Sequence, residues 1–322
     1  MTSRSAKNFC EGLGISSDMQ LVCSSARNWC NHLGRGAIVA VLPFLLLTTT
    51  WRAGARAAVQ DQSATRTRAR AALHQTSASR LAVKSRIALV LDAGTGQELL
   101  AKETERVVPI ASITKLMTAM VVLDAKPPMD EMLKIGDADR DLVMGSTSRL
   151  QVGRALSREN MLHLALMSSE NRAAAALSRY YPGGRSAFIE AMNAKATALG
   201  MEHTHFVNPN GLTNENVSTA RDLAKLVGAA AKYPLIRQFS TDPRYDVRVG
   251  RTTLTYINSN RLVGQPNWDI DVQKTGFTNE AGRCLVMQVR SNGRPLIMVF
   301  LDGDGKLTRF ADARRVLAQL DR

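Results

Sequence analysis

Three short groups of residues carry the side chains that chemistry needs. Ser112-Ile-Thr-Lys115 heads the apolar run Ile113–Leu123. On a helix, residues three apart share one face, so a hydroxyl would sit beside an amine at a helix N-terminus. The amine can act as a general base only without its proton. An ordinary lysine, with a pKa of about 10.4, is almost fully protonated at neutral pH. Partial burial and nearby positive charge are therefore expected to lower it. Ser169-Glu-Asn171 follows 57 residues later, between two helical stretches. Its hydroxyl could relay a proton to a leaving amine, and its amide could hold a substrate backbone. Lys274-Thr-Gly276 comes 105 residues further on, inside Asp271-Val-Gln-Lys-Thr-Gly-Phe-Thr278. As an edge strand this segment could pair with an extended peptide. Thr275 and Lys274 suit a carboxylate, and Gly276 lets a ligand approach closely. Each group alone has a bland reading: a capping serine, a turn, a strand end.

The elements that must position these groups are legible around them. Ile87–Asp92 and Glu98–Lys102 flank the turn Ala93–Gln97 and read as a hairpin. At the far end, Arg283–Arg290 and Pro295–Leu301 flank Ser291-Asn-Gly-Arg294, a hairpin turn with Asn-Gly at its centre. A last helix is expected over roughly 307–320. Between the ends the pattern is helical. Ser157 is a candidate cap for a helix running to Met167, Ser186 for one that stops at Gly200, and Ser218 or Thr219 for one that runs through Ala231 and ends before Pro234. Strands, then helices, then strands predict an α+β fold. Its antiparallel sheet draws on both chain ends, and an inserted helical lobe leaves a cleft beside the sheet.

Composition bounds the partners. The 322 residues carry 42 Lys and Arg against 28 Asp and Glu, a net charge of +14. Such a balance favours an anionic partner: nucleic acid, a membrane surface or an anionic wall polymer. Aromatic residues are only 5%, which argues against base stacking. Residues 37–51, AIVAVLPFLLLTTTW, form a short apolar stretch after Arg35, and Ala55-Arg56-Ala57 offers a small-x-small site. This reads as an export signal with a long n-region, cleaved after Ala57, rather than a membrane span. Cleavage would remove Cys10, Cys23 and Cys30, leaving Cys284 as a core residue with no disulfide partner. Residues 58–85 carry Arg66, Arg68, Arg70, Arg80 and Lys84 and read as a basic disordered linker, suited to loose association with a membrane or wall. Residues 86–322 would be the folded domain.

The ordered trio S-x-x-K, S-x-N and K-T-G resembles the serine penicillin-recognising superfamily of DD-peptidases and β-lactamases. Within it, the chain is most similar to the D-alanyl-D-alanine endopeptidases, small periplasmic penicillin-binding proteins of the S11 peptidase family. The likeness extends through Ile110–Met120, Leu164–Arg172, Tyr181-Pro-Gly-Gly184, Asn216–Leu223 and Lys274–Asn279, and covers about 86–322. It implies a β-lactamase/transpeptidase-like fold with a five-stranded antiparallel sheet. Ser112 would be the acylated nucleophile and Lys115 its base. Ser169 would be a proton shuttle, Asn171 would hold substrate and Lys115, and Lys274 would support the electrostatics. Thr275 and Gly276 would bind substrate, and the backbone N–H groups of Ser112 and Phe277 would form an oxyanion hole.

The implied reaction is hydrolysis of D-alanyl cross-links in peptidoglycan in the periplasm through an acyl-enzyme, with β-lactams as covalent inhibitors, no cofactor or metal, and no nucleic acid. The alternatives are a DD-carboxypeptidase and a catalytically silent wall-binding protein. The chain ends one helix after the last strand, which favours the smaller endopeptidase type over carboxypeptidases with a second β domain. Between the second and third motifs, Asn208 stands where a carboxylate before Pro209 would activate deacylating water, so rapid penicillin hydrolysis is not expected. His203-x-His205 lacks further ligands for a metal, and Asp302-Gly-Asp-Gly305 reads as a turn rather than a calcium loop.

Overall fold

The computed structural model describes residues 82–140 and 147–320. The export segment and most of the basic linker lie outside those residues.

Five strands form one antiparallel sheet. In chain order they are β1 (Ile87–Asp92), β2 (Glu98–Lys102) and, after the helical lobe, three long strands. The paired short strand β3 (Val108–Pro109) and the lobe strands β4 (Met132–Lys134), β5 (Ala155–Ser157), β6 (Val217–Ser218), β7 (Arg244–Val249) and β8 (Thr252–Ile257) form three small ribbons. The long strands are β9 (Asp269–Thr278), β10 (Gly282–Ser291) and β11 (Arg294–Gly303), and the sheet order is β2-β1-β11-β10-β9. The first hairpin thus docks on the last strand, with Ile87 opposite Leu301 and Asp92 opposite Leu296. This joins the two ends of the chain as their patterns predict.

Alternation along the strands divides the core. Ile87, Leu89, Val286 and Val299 face the helical lobe. Ala88, Val90, Met287 and Phe300 face the other way, onto Phe310, Ala313 and Val316 of the last helix. The sheet is therefore the middle of three layers. Asp312 in that helix accepts the backbone N–H groups of Lys84 and Ser85 and the Ser85 hydroxyl at 2.7–2.9 Å, anchoring the chain just before β1.

The lobe comprises six helices: α1 (Thr114–Asp124), α2 (Arg158–Met167), α3 (Asn171–Arg179), α4 (Gly184–Ala198), α5 (Ala220–Ala230) and α6 (Pro234–Thr241), with α7 (Thr308–Leu320) on the far face. Ser157 caps α2 through the Asn160 N–H, and Thr219 caps α5 through the Asp222 N–H. Ser186 is not a cap. Helix α4 starts two residues earlier, after Gly183 in the left-handed region, and Ser186 lies in its first turn. Every residue of α1 from Thr114 to Val122 is buried. It is the central post of the lobe, and each buried Leu, Met or Val contributes about 1.5–3 kcal/mol. Such a helix, buried all round, holds its N-terminal residues rigidly in place.

Candidate active site

The first motif begins on a 3₁₀ turn, Ala111–Ile113, that leads directly into α1. Ser112 and Lys115 therefore fall on one side of a rigid helix start. The Lys115 amine lies 2.7 Å from the Ser112 Oγ, 2.8 Å from the Asn171 Oδ1 and 2.6 Å from the backbone oxygen of Asn210. Lys115 is fully buried. Burial lowers its pKa to about 7, against the opposing pull of the Glu170 carboxylate. Desolvation therefore provides the lowering; nearby positive charge, also expected from the sequence, is not what sets it.

The approach to Ser112 is tight. Ala111, immediately before it, has a φ of 47°, strained for a residue with a Cβ. Two glycines make room around it. A Cβ on Gly211 would lie 2.0 Å from the Ala111 oxygen, and Gly211 itself has a φ of +79°. A Cβ on Gly276 would lie 3.2 Å from the Ser112 nitrogen. Strand β9 thus runs against the amide of the nucleophile, with its outer edge open at the margin of the sheet.

The second motif is the turn between α2 and α3. Ser169 occupies the left-handed region, with φ 63°, and presents its side chain to the cleft. Glu170 caps α3 by accepting the Arg172 N–H, and Asn171 starts that helix and reaches Lys115.

On β9, Lys274 is fully buried and donates to the Thr275 oxygen at 2.9 Å. Burial, then the charges of Lys115 and Arg309, hold its pKa well below the ordinary lysine range. The Thr275 hydroxyl meets the Ser259 hydroxyl at 2.7 Å. Phe277 is exposed, with the Arg283 guanidinium over its ring at 3.7 Å.

All three motifs open onto one cleft of about 420 Å³, lined by Ser112, Ser169, Asn171, Thr275, Gly276 and Phe277 together with Ser259, Arg283 and Arg309. No Asp or Glu lines it among the described residues. Arg309, only 6% exposed, has no acidic partner there, and burial lowers its pKa to about 10. The cleft is therefore cationic and ready for an anion.

Several contributors escaped the sequence reading. The Asn210 carbonyl is a backbone group in an irregular loop, and no side-chain pattern reports it. Arg309 begins the last helix, where a basic residue signals nothing unusual. Asn208 is different: its Oδ1 accepts the N–H groups of Asn210 and Gly211 at 3.2 and 2.7 Å. It shapes the turn that carries the Asn210 carbonyl. His163 of α2 is buried between Phe239 and Tyr245. Cys284 is buried too, its thiol pushed up to about 11 by burial.

The profile of the D-alanyl-D-alanine carboxypeptidase family, peptidase S11, matches residues 74–305. The chain belongs to that family. Its S11 relatives include the D-alanyl-D-alanine endopeptidase of Pseudomonas aeruginosa, 54% identical over 73% of this chain and 76% of that protein. The D-alanyl-D-alanine endopeptidase of Escherichia coli K12 is 51% identical over 75% of this chain and 78% of its own. Among solved S11-like structures, the Streptomyces K15 DD-transpeptidase superposes with a TM-score of 0.69 at 29% identity, covering 74% of this chain and 97% of that one. The α+β architecture and five-stranded antiparallel sheet expected from the sequence are those of this S11 chain.

Proposed function

We propose that this protein is a serine DD-endopeptidase that hydrolyses D-alanyl cross-links in peptidoglycan through an acyl-enzyme on Ser112. One observation carries the reading: a fully buried lysine, its pKa brought to about 7, held 2.7 Å from a serine hydroxyl at the floor of a cationic cleft. High identity to two D-alanyl-D-alanine endopeptidases supports the substrate class.

A neutral Lys115 has two N–H donors and one lone pair. The donors serve Asn171 Oδ1 and the Asn210 oxygen, which leaves the lone pair for the Ser112 proton. Ser112 Oγ then attacks the D-alanyl carbonyl while its proton passes to Lys115. The developing oxyanion is held by the backbone N–H groups of Ser112 and Phe277, and donors of this kind lower a barrier by roughly 3–4 kcal/mol. The C–N bond breaks as the proton taken up by Lys115 is relayed through Ser169 to the departing amine, leaving Lys115 neutral again. Water then attacks the ester while its proton passes to Lys115, and collapse releases the acid as Lys115 returns that proton to Ser112 Oγ. Thr275 and Arg309 hold the carboxylate on the leaving side, Lys274 buried behind Thr275 supports the electrostatics, and Gly276 admits the substrate backbone against β9. With no carboxylate among the described cleft residues, a β-lactam ester on Ser112 is expected to turn over slowly.

The cationic cleft also suits the terminal carboxylate of a D-Ala-D-Ala stem, so carboxypeptidase action is the second reading. The apolar segment 37–51 and the basic stretch 58–85 support export to the periplasm and loose contact with wall or membrane. The test is direct. A fluorescent penicillin should form a long-lived adduct whose mass maps to Ser112, and the protein should cut cross-linked muropeptide dimers. Loss of D-Ala from pentapeptide monomers with dimers left intact would overturn the endopeptidase assignment.

A further inference from the structure

The turn carrying the second motif divides two cavities. Ser169 and Asn171 line the cleft, while their neighbours Ser168 and Glu170 line a second cavity of about 480 Å³ on the other side. The chain opposite behaves alike: Ser259 lines the cleft, and Ile257 the second cavity. A peptide leaving the cleft past Ser169 would enter this space within a residue or two.

Among the described residues, the second cavity is lined by a cation and an acid that have no ion-pair partner. Arg149 is fixed there: its guanidinium lies 3.8 Å from the centre of the Tyr256 ring, and its Nη1 donates to the Thr255 oxygen at 2.7 Å. It forms no ion pair among the described residues. The carboxylate of Glu170, a residue only 7% exposed, accepts the Arg172 N–H and forms no ion pair among the described residues either. Two opposite charges line one cavity without touching each other. Such a space suits a ligand that supplies a carboxylate to one and an N–H group to the other.

We propose that this second cavity is the subsite for the leaving strand of a cross-linked substrate, with Arg149 binding a carboxylate of that strand and Glu170 accepting one of its amide N–H groups. This rests on the endopeptidase reading above. The chemistry separates the two substrate types. In a cross-linked dimer the departing amine belongs to a second stem peptide, which continues with further amides and free carboxylates. In a monomer the departing group is a single D-alanine, too short to pass the Ser169 turn. The cavity therefore sets preference between dimer and monomer and leaves acylation chemistry alone.

The test uses the full chain and the variant Arg149→Gln, which keeps a donor for the Thr255 oxygen and loses the charge. Four readouts are compared: cleavage of a muropeptide dimer, cleavage of the same dimer with the leaving strand's carboxylates converted to carboxamides, loss of D-Ala from a pentapeptide, and acylation by fluorescent penicillin. Arg149→Gln should lower kcat/KM on the dimer roughly 10-fold, mainly through KM, as expected when one charge-assisted contact is lost. Pentapeptide cleavage and acylation should stay within about twofold of wild type. Amidation should weaken the wild type by a similar factor and the variant little further. If Arg149→Gln failed to fold, Ile257→Glu, at an exposed position lining the same cavity, should give the same selective loss. Equal dimer cleavage by variant and wild type, or an equal fall on dimer and pentapeptide, overturns the subsite while leaving the endopeptidase reading intact. A wild type that is acylated by penicillin but cuts no dimer overturns both.

Discussion

The Lys115 amine sits 2.7 Å from the Ser112 hydroxyl and has two further acceptors, Asn171 Oδ1 and the Asn210 oxygen, within 2.8 Å. Three acceptors match the three hydrogens of an ammonium; the neutral amine turns its lone pair to Ser112 instead. The same pocket thus holds both protonation states, and burial balances them near neutrality.

This balance fixes the pH dependence of acylation. The lowered pKa of about 7 means that the reactive, unprotonated form is lost as pH falls through that value and is nearly complete a unit above it. The second-order rate of penicillin acylation should rise with pH along one limb centred near 7 and then level off. A lysine left near 10.4 would keep the rate climbing throughout the neutral range. Stopped-flow acylation between pH 5.5 and 9, scanned at roughly half-unit steps, distinguishes the two.

Gly211 is required by backbone geometry and not by chemistry. An alanine there would place a methyl 2.0 Å from the Ala111 oxygen at a φ of +79°. The strained φ and the clash together should cost roughly 2–3 kcal/mol. The displaced neighbour is the residue before the nucleophile, so acylation should fall far more than the stability loss alone explains. Thermal midpoint and acylation rate, measured on the same sample of Gly211→Ala, check both parts. Unchanged acylation would mean that the loop can retreat without moving Ser112.

Asn216 is the peg that holds the loop. Fully buried, it donates through Nδ2 to Thr114 Oγ1 at 3.0 Å and the Asn208 oxygen at 2.9 Å, and accepts the Val207 N–H at 2.8 Å. Its side chain hydrogen-bonds to neither Ser112 nor Lys115, yet it fixes the turn that brings the Asn210 oxygen to the lysine. Asn216→Ala leaves buried donors and acceptors unmade and should lower stability by about 2–4 kcal/mol. If the peg positions the base, the acylation limb should also shift along the pH axis. A stability loss with an unmoved limb would make Asn216 purely structural.

Much of this was legible in the sequence because it rests on side-chain type and period. The two terminal hairpins, the caps at Ser157 and Thr219 and the three motifs follow from alternation, capping and residue chemistry. Helix α6 and the β7–β8 ribbon did not. In the sequence Pro234 signals a stop after α5; in the fold it also occupies the first turn of α6, where its missing N–H costs nothing. In β7, Val247 and Val249 are buried while Arg244, Asp246 and Arg248 are exposed; the strand is so charged that its alternation barely registers as apolar. Long-range meetings were the other gap. Asn210 reaches Lys115 across 95 residues by a backbone oxygen, and Arg309 reaches the cleft from the last helix. Neither periodicity nor motif spacing encodes such approaches.

Arg309 offers a case in which stability and function should part. It is buried, its Nε has no hydrogen-bond partner among the described residues, and its Nη1 donates to the Lys306 oxygen at 3.1 Å. Burial lowers its pKa to about 10, as it would for a cation held without a counter-charge, and Arg283 and Arg261 add repulsion. An isolated buried charge destabilises a fold, and apolar replacement at such places is often neutral or stabilising. A ligand carboxylate would relieve this repulsion, so the residue suits binding better than it suits the empty protein. Arg309→Met should therefore raise the thermal midpoint by about 2–4 °C for each kcal/mol relieved in a domain of this size. It should also weaken substrates and penicillins that carry the carboxylate, raising KM roughly 10-fold with a smaller change in kcat. A lower midpoint with an unchanged KM would place the guanidinium among the structural contacts of α7 and remove it from the anion site.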